Sequence, residues 1–180
     1  METEAQELEP PLPTTPDALL DRLSAWGIAQ TTHHHQPVFT VDEAKDLRGQ
    51  LAGGHCKSLF LKNKKGAMWL VVCDEDRRID LKALSGLLQG GRLSFGSADR
   101  LRRVLGVLPG SVTPFALIND RDHQVTPVLD KTMLAHDRLN YHPLVNTMTT
   151  TIASADLVRF VEACGHQPVI LDLDAAAPTP

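Results

Sequence analysis

Apolar positions along the chain follow two spacings, one near 3.6 residues and one near two, and where each holds decides the element expected. Leu19, Leu20, Leu23 and Trp26 form one stripe that begins at Thr15-Pro16 and stops at Gly27. A threonine able to cap and a proline suited to the first helical position put a helix start there. A strand is expected through His33-His34-His35, and after Val38-Phe39 the order Thr40-Val41-Asp42-Glu43 has capping-box spacing for a short second helix. The apolar runs Ser58 to Leu61 and Ala67 to Val72 flank the polar Asn63-Lys64-Lys65-Gly66, a hairpin pattern. Asp80 heads a helix carrying Leu81, Leu84, Leu87 and Leu88, stopped by Gly90-Gly91. Ser97 heads the next, where Leu101, Val104 and Leu105 line one face and Arg100 and Arg103 turn to solvent.

Further on, Pro114 to Ile118 and Val125 to Leu129 read as a second hairpin around Asn119-Asp120-Arg121-Asp122. A third β segment near Thr147 to Ile152 leads to a helix with Leu157, Phe160, Val161 and Cys164 aligned, then Gly165 and a final strand, Pro168 to Leu173. Hairpins and short helices are mixed without regular βαβ alternation or internal repeat. The expected fold class is α+β, a single domain with a mixed, mostly antiparallel sheet and surrounding helices. Its 180 residues suit one domain. Residues 1–14, with prolines at 10, 11 and 13, read as a flexible leader, 15–174 as the folded domain and 175–180 as a frayed tail.

With 42% apolar and 22% charged residues, a chain of this length buries roughly 70% of its unfolded surface. No apolar run approaches the ~18 residues of a membrane span, and the acidic, proline-rich start lacks the basic end and apolar stretch of a secretory signal. The default is a cytoplasmic protein with no membrane partner. The net charge of −4 argues against a general polyanion binder. Its distribution is uneven. Lys57 to Arg103 holds eleven basic and five acidic residues, so that stretch is +6 and the remainder −10. Such asymmetry is the mark of a nucleic-acid face or of solvated charge on helix and hairpin surfaces.

Candidate chemistry is narrowed mainly by what is missing. No GxxxxGK, GxGxxG, HExxH or GxSxG segment occurs, which removes the common routes to nucleotide hydrolysis and zinc proteolysis. Cys56, Cys73 and Cys164 have no CxxC spacing, so no disulfide framework or zinc site is suggested. Cys73 and Cys164 fall at core positions. Cys56 beside His55 could serve as a nucleophile, but neighbours on a strand face opposite ways and do not share a proton easily. His33-His34-His35 invites a metal reading that the same alternation weakens, leaving ordinary strand residues. The eight aromatic residues are mostly core-spaced and form no base-stacking platform.

Two segments carry polar groups that a purely structural reading leaves idle. In Gly53-Gly54-His55-Cys56-Lys57-Ser58 glycines allow close backbone approach and a lysine enters an apolar strand. Gly110-Ser111-Val112-Thr113-Pro114 is a loop able to turn backbone N–H groups toward a carbonyl or phosphate, and the later Asn140-Tyr141-His142-Pro143 can fix an imidazole at a pocket edge. A snorkelling lysine and a routine turn would produce the same spacings.

The order of these segments is more specific than any one of them. Gln36-Pro37-Val38-Phe39-Thr40, Gly53 to Leu61, Arg92-Leu93-Ser94-Phe95, Leu105-Gly106-Val107, Gly110 to Phe115, Leu117-Ile118-Asn119-Asp120, Leu129-Asp130-Lys131 and His142-Pro143-Leu144 together closely resemble the free-standing prolyl-tRNA editing proteins of the YbaK/ProX superfamily. These are relatives of the editing insertion domain of bacterial prolyl-tRNA synthetase, and the likeness runs from about Thr15 to Leu173.

The resemblance implies hydrolysis of the ester that joins a wrong amino acid, alanine in this branch, to tRNA(Pro). A synthetase pocket made for proline cannot strongly exclude a smaller side chain, because a missing methylene changes binding by only ~1–3 kcal/mol, so a second site must remove the error. Carried over by position, Lys57 matches the essential lysine, which would hold the terminal adenosine's phosphate or ribose and the reacting ester. Gly110 opens the GxxxP loop, in which Ser111, Val112, Thr113 and Pro114 would orient and polarise the aminoacyl carbonyl. His142 matches the histidine bordering the amino-acid pocket. Water would attack with help from the substrate's own ribose hydroxyl, using no metal, cofactor or protein nucleophile. Ser58 stands where many members have asparagine and has shorter reach. Two further readings stay open: a cysteinyl-tRNA(Pro) deacylase, and a non-catalytic module that docks on tRNA or on prolyl-tRNA synthetase.

Overall fold

The structure, a computed structural model, describes residues 11–37 and 41–179, without the side chains of 41, 42, 44 and 48. Among the described residues it contains five α-helices, α1 (Pro16–Ala25), α2 (Val41–Gln50), α3 (Leu81–Leu88), α4 (Ala98–Leu105) and α5 (Ser154–Ala163). Eight strands complete it: β1 (Gln30–His34), β2 (Gly54–Lys62), β3 (Met68–Asp74), β4 (Ser94–Phe95), β5 (Val125–Asp130), β6 (Arg138–Tyr141), β7 (Met148–Ala153) and β8 (Val169–Leu171). Three of the expected helix starts are capped as the sequence indicates. Thr15 Oγ1 accepts from the Ala18 amide, Asp80 from Lys82 and Ser97 from Arg100, each at 3.1 Å, a contact contributing about 1 kcal/mol. The Thr40 capping box lies outside the described residues, as do residues 1–10 of the leader. The leader's end is tied down, with Thr14 Oγ1 donating to Asn119 Oδ1 at 2.5 Å.

The sheet runs β1-β7-β6-β2-β3-β5-β8, with β4 also on β2. Pairs β1–β7, β6–β7, β2–β3 and β2–β4 are antiparallel, and β2–β6, β3–β5 and β5–β8 are parallel. The mixed sheet matches the expected α+β class. Strands β2 and β3 form the expected hairpin, in the register Lys57↔Cys73 and Leu61↔Trp69. Alternation then sorts β3 into two cores. Met68, Leu70 and Val72 pack with Phe115, Phe160, Leu23 and Tyr141 on one face, while Val71 and Cys73 pack with Leu84, Val128 and Leu173 on the other. A strand covered on both faces reads as a continuous apolar run, which is why β3 stands out in the sequence.

The second expected hairpin does not form. Pro114–Asn119 is a 3-10 helix, with Thr113 Oγ1 accepting from the Phe115 amide at 3.3 Å and Pro114 at its first turn. Asp120 then accepts from the amides of Gln124 and Val125 at 3.0 and 2.9 Å, and β5 pairs in parallel with β3 and β8 instead. A run of consecutive buried residues does not distinguish a short helix from a strand, and here the cap decided it. Strand β6 was not foreseen, and the expected fraying from Ala175 is not seen up to Ala176, which is fully buried in a final 3-10 turn.

Candidate active site

Two short neighbours share one edge of β2. Strand β6 pairs with it at Gly54 and His55 and β4 at Leu61 and Lys62. Between them Cys56 to Phe60 has no strand on that edge among the described residues, and Cys56 and Ser58 line a cavity of about 110 Å³ there. Asn140, Tyr141 and His142 close it from the end of β6, Thr149 from β7, Val112 from the loop that follows α4, and Leu47 from α2. His55 and Glu75 complete the wall.

Local structure explains how these groups converge. Gly53, at φ +95°, brings the chain so close to β6 that a Cβ there would lie 2.6 Å from the Arg138 carbonyl, a conformation and a contact only glycine accepts. Asn140 locks the junction. Its Nδ2 donates to the carbonyls of Ala52 and Gly54 at 2.9 and 3.2 Å, and its Oδ1 accepts from Thr151 Oγ1 at 2.5 Å. Gly110, at φ +87°, turns the loop that leads to Val112. Next to His142, Leu144 is fully buried at φ +72°, a left-handed backbone that costs a non-glycine residue about 1–3 kcal/mol and persists because burial holds it.

His142 donates from Nδ1 to the Met148 carbonyl at 3.0 Å. A carbonyl only accepts, so in the neutral ring Nε2 keeps its lone pair. Burial pushes its pKa below the ordinary histidine value, aided by His35 and opposed by the Met148 carbonyl and Glu75. At neutral pH it is therefore an acceptor. Cys56 is the reverse of an activated thiol, pushed up to about 12 chiefly by burial, which removes it as a nucleophile. Tyr141, wholly buried, is raised well above its usual value and donates to the Met133 sulfur at 3.1 Å.

The sequence-derived residues are only partly brought together. Ser58, Val112 and His142 share the cavity. Ser111, Thr113 and Pro114 are buried in the loop and helix start behind Val112. Lys57 does not line the cavity. It points to the other face of β2, where its ammonium donates to the main-chain carbonyl of Arg77. Arg77 in turn binds Asp130 at 2.6 Å and Asp174 at 2.8 Å. Glu75 and Thr149 were not foreseen, and Asn140 and His35 stood in segments singled out in the sequence without a role of their own in the site. The His33-His34-His35 run does alternate, with His33 and His35 stacked at 6.2 Å and His35 against His142 at 6.4 Å. Among the described residues no group of three or more His, Cys, Asp or Glu side chains could hold a metal ion.

Comparison with known proteins gives the family. A model of the aminoacyl-tRNA editing domain matches residues 35–160, most of the chain and every wall of the cavity. The chain belongs to the aminoacyl-tRNA editing domain family. It is 35% identical over 150 residues to the prolyl-tRNA editing protein ProX of Acetoanaerobium sticklandii, covering 83% of this chain and 92% of that one. It is 39% identical over 154 residues to prolyl-tRNA synthetase associated domain-containing protein 1 of Danio rerio, covering 84% of each. The editing-domain fold recurs in the crystal structure of the hypothetical protein APE2540, with a TM-score of 0.69 at 20% identity over 86% of this chain and 97% of that one.

Proposed function

We propose that this editing domain is a trans-acting deacylase that hydrolyses alanyl-tRNA(Pro) to alanine and tRNA(Pro). The observation that carries the reading is the make-up of the cavity in a member of this family: Val112, Tyr141 and the acceptor nitrogen of His142 line it together. Such a lining would seat a methyl side chain, and the proposal is that the pyrrolidine ring is refused there. Discrimination of this kind works in the direction the synthetase cannot, because a small pocket excludes by overlap what a large one admits with a modest loss.

The residues support positioning rather than covalent catalysis. Ser58 and the Gly110 to Pro114 loop would orient the ester carbonyl, with main-chain donors stabilising the charge that develops on its oxygen. His142 Nε2 would accept a hydrogen from the attacking water or from the ribose hydroxyl. Lys57 would act from behind, holding the carbonyl of Arg77 two residues beyond Glu75, and so fixing the segment that brings Glu75 to the cavity. The tRNA partner would be met at its acceptor end, and prolyl-tRNA synthetase would supply the error to be corrected. No helix among the described residues is long and apolar enough to cross a membrane, in keeping with action in the cytoplasm where tRNA is charged.

A panel of alanyl-, cysteinyl- and prolyl-tRNA(Pro) tests this. The reading expects rapid loss of the alanyl ester, slower loss of the cysteinyl ester and survival of the prolyl ester. Cysteinyl hydrolysis faster than alanyl would move the specificity, and tRNA binding with no hydrolysis would make the chain a docking module.

A further inference from the structure

The chain beyond α5 does more than close the sheet. Strand β8 pairs in parallel with β5 from Val128↔Val169 to Asp130↔Leu171, and the 3-10 turn Leu173–Ala176 follows. Leu173 and Ala176 are fully buried, packed with Val71, Cys73, Leu84 and Val128. The turn is pinned at both ends. The Leu173 amide donates to Asp130 Oδ1 at 3.2 Å, and the Ala176 carbonyl accepts from the amide of Asp80, the cap of α3, at 2.8 Å. Between them the Asp174 amide donates to Asp172 Oδ1 at 3.0 Å, and the Asp174 side chain is 73% exposed. This strap lies beyond residue 160, where the match to the editing domain ends.

The exposed carboxylate reaches Arg77. Asp174 Oδ1 accepts from Arg77 Nη1 at 2.8 Å, while the buried Asp130 accepts from Arg77 Nε through Oδ2 at 2.6 Å. Asp130 Oδ1 serves the amides of Leu173 and Thr132, so Asp130 offers the guanidinium one oxygen. One bond fixes a point of the planar fork and leaves it free to turn, whereas a second from another element fixes the plane. Arg77 acts on the cavity through its backbone. Its carbonyl accepts from the Lys57 ammonium and its amide donates to the Asp74 carbonyl at 3.0 Å. The turn closed in this way carries Glu75, whose own amide donates to the His55 carbonyl at 2.8 Å and whose residue lines the cavity.

Resting on the deacylase reading, we propose that Asp174 is a positioning residue: with Asp130 it fixes the plane of the Arg77 guanidinium, keeps the Arg77 carbonyl on the Lys57 ammonium and so holds the cavity wall that carries Glu75. The strap from Val169 to Ala176 thereby ties the C-terminal edge of the sheet to the site. Asp174 touches no reacting atom. An ion pair with so exposed a carboxylate adds little to folding stability. Its effect belongs to geometry, where a displacement of about 1 Å slows a reaction without unfolding the protein.

The test uses the whole chain carrying Asp174→Ala, Asp174→Glu, or Asp174→Ala together with Lys57→Met. Deacylation of alanyl-tRNA(Pro), amide hydrogen exchange and the urea midpoint are measured on each. Asp174→Ala is expected to lower kcat by about two- to fivefold and to leave KM and the urea midpoint unchanged. Exchange at the Glu75 and Arg77 amides quickens, while the β1–β7 pair keeps its protection. Asp174→Glu, which returns a carboxylate, restores both. On Lys57→Met the change Asp174→Ala costs nothing further, because both act through Arg77, whereas independent losses would multiply. Wild-type exchange at Glu75 and Arg77 in Asp174→Ala overturns the proposal, as does a loss of kcat that follows the urea midpoint or repeats in full on Lys57→Met. Quickened exchange there in a protein that leaves alanyl-tRNA(Pro) intact upholds the strap and overturns the deacylase reading; hydrolysis that Asp174→Ala does not alter does the opposite.

Discussion

The ammonium of Lys57 donates to the main-chain carbonyl of Arg77, on the face of β2 opposite to the one that Cys56 and Ser58 turn to the cavity. The amine is therefore engaged with protein. The segment it holds begins at Glu75, whose amide is bonded to His55, and runs to Arg77, whose guanidinium is anchored on the fully buried Asp130. Through that segment the amine fixes one wall of the site.

Removing the amine should therefore loosen the Glu75 wall. Lys57→Met is expected to lower kcat for deacylation by about tenfold or more, as for loss of a charged hydrogen bond worth ~1.5–3 kcal/mol. The far-UV circular dichroism and the KM for tRNA should change little. Wild-type turnover in that variant contradicts the role, and a rise in KM with a weaker salt dependence would return the ammonium to the phosphate of the substrate.

The depressed pKa of His142, due first to burial, keeps its acceptor available in more acid solution than an ordinary imidazole. The acid limb of the kcat/KM profile is expected below pH 6.5, the ordinary value. For stability the sign follows from the unfolded chain taking up the proton first. The contribution is intact above the unfolded pKa and is lost as the pH falls toward the folded one. His142→Ala should remove this limb and narrow the alanine-to-proline rate ratio. A limb that persists in the variant belongs to another group.

Asp120 is a structural carboxylate. Burial alone would raise its pKa, but the hydrogen bond from His166 Nε2 at 2.9 Å and the amides of Val125 and Gln124 outweigh it, and the net shift is downward. Its stabilisation is present above the unfolded carboxylate pKa and vanishes as pH falls through the folded value. His166 Nδ1 is buried without a hydrogen-bond partner, so the ring is held by the Nε2 bond and by edge-on packing against His123, centroids 4.8 Å apart. Asp120→Asn is expected to cost ~1.5–3 kcal/mol in urea unfolding at pH 7, with the gap to wild type closing in strong acid. A gap that is constant with pH would contradict the assignment.

Ser58 lines the cavity with a side chain shorter than an asparagine would place there. Ser58→Asn should fill space beside Val112 and His142. The expected result is a larger ratio of alanyl to cysteinyl hydrolysis, measured on the two esters in parallel. An unchanged ratio would show that Ser58 does not set the size of the acyl pocket.

The elements written in local pattern were legible in the sequence, and those written in distant pairing were not. The β2–β3 hairpin announces itself because its turn and both runs lie within twenty-one residues, Gly54 to Asp74. Strand β6 has four residues and, beside its neighbour β7, a parallel partner far away in the chain, β2, so no periodicity marks it. Pro114–Asn119 misled because buried consecutive residues fit a strand or a 3-10 turn equally well, and only the Thr113 cap separates them. The same division runs through the site. Ser58, Val112 and His142 sit in recognisable segments, whereas Thr149 and Glu75 are ordinary residues until the sheet order β1-β7-β6-β2-β3 sets them around one cavity. Alternation along β2 also contains the placement of Lys57 opposite its neighbours, a signal that points away from the cavity.

On the proposed function this cavity destroys a wrongly charged alanyl ester and spares the right one. This is tested most directly by the first-order decay of alanyl-tRNA(Pro) and prolyl-tRNA(Pro), each with the purified protein and a chelator, against the uncatalysed rates. The account predicts decay of the alanyl ester well above its spontaneous rate, with the prolyl ester at background. Alanyl decay at background, or both esters lost at equal rates, would contradict it.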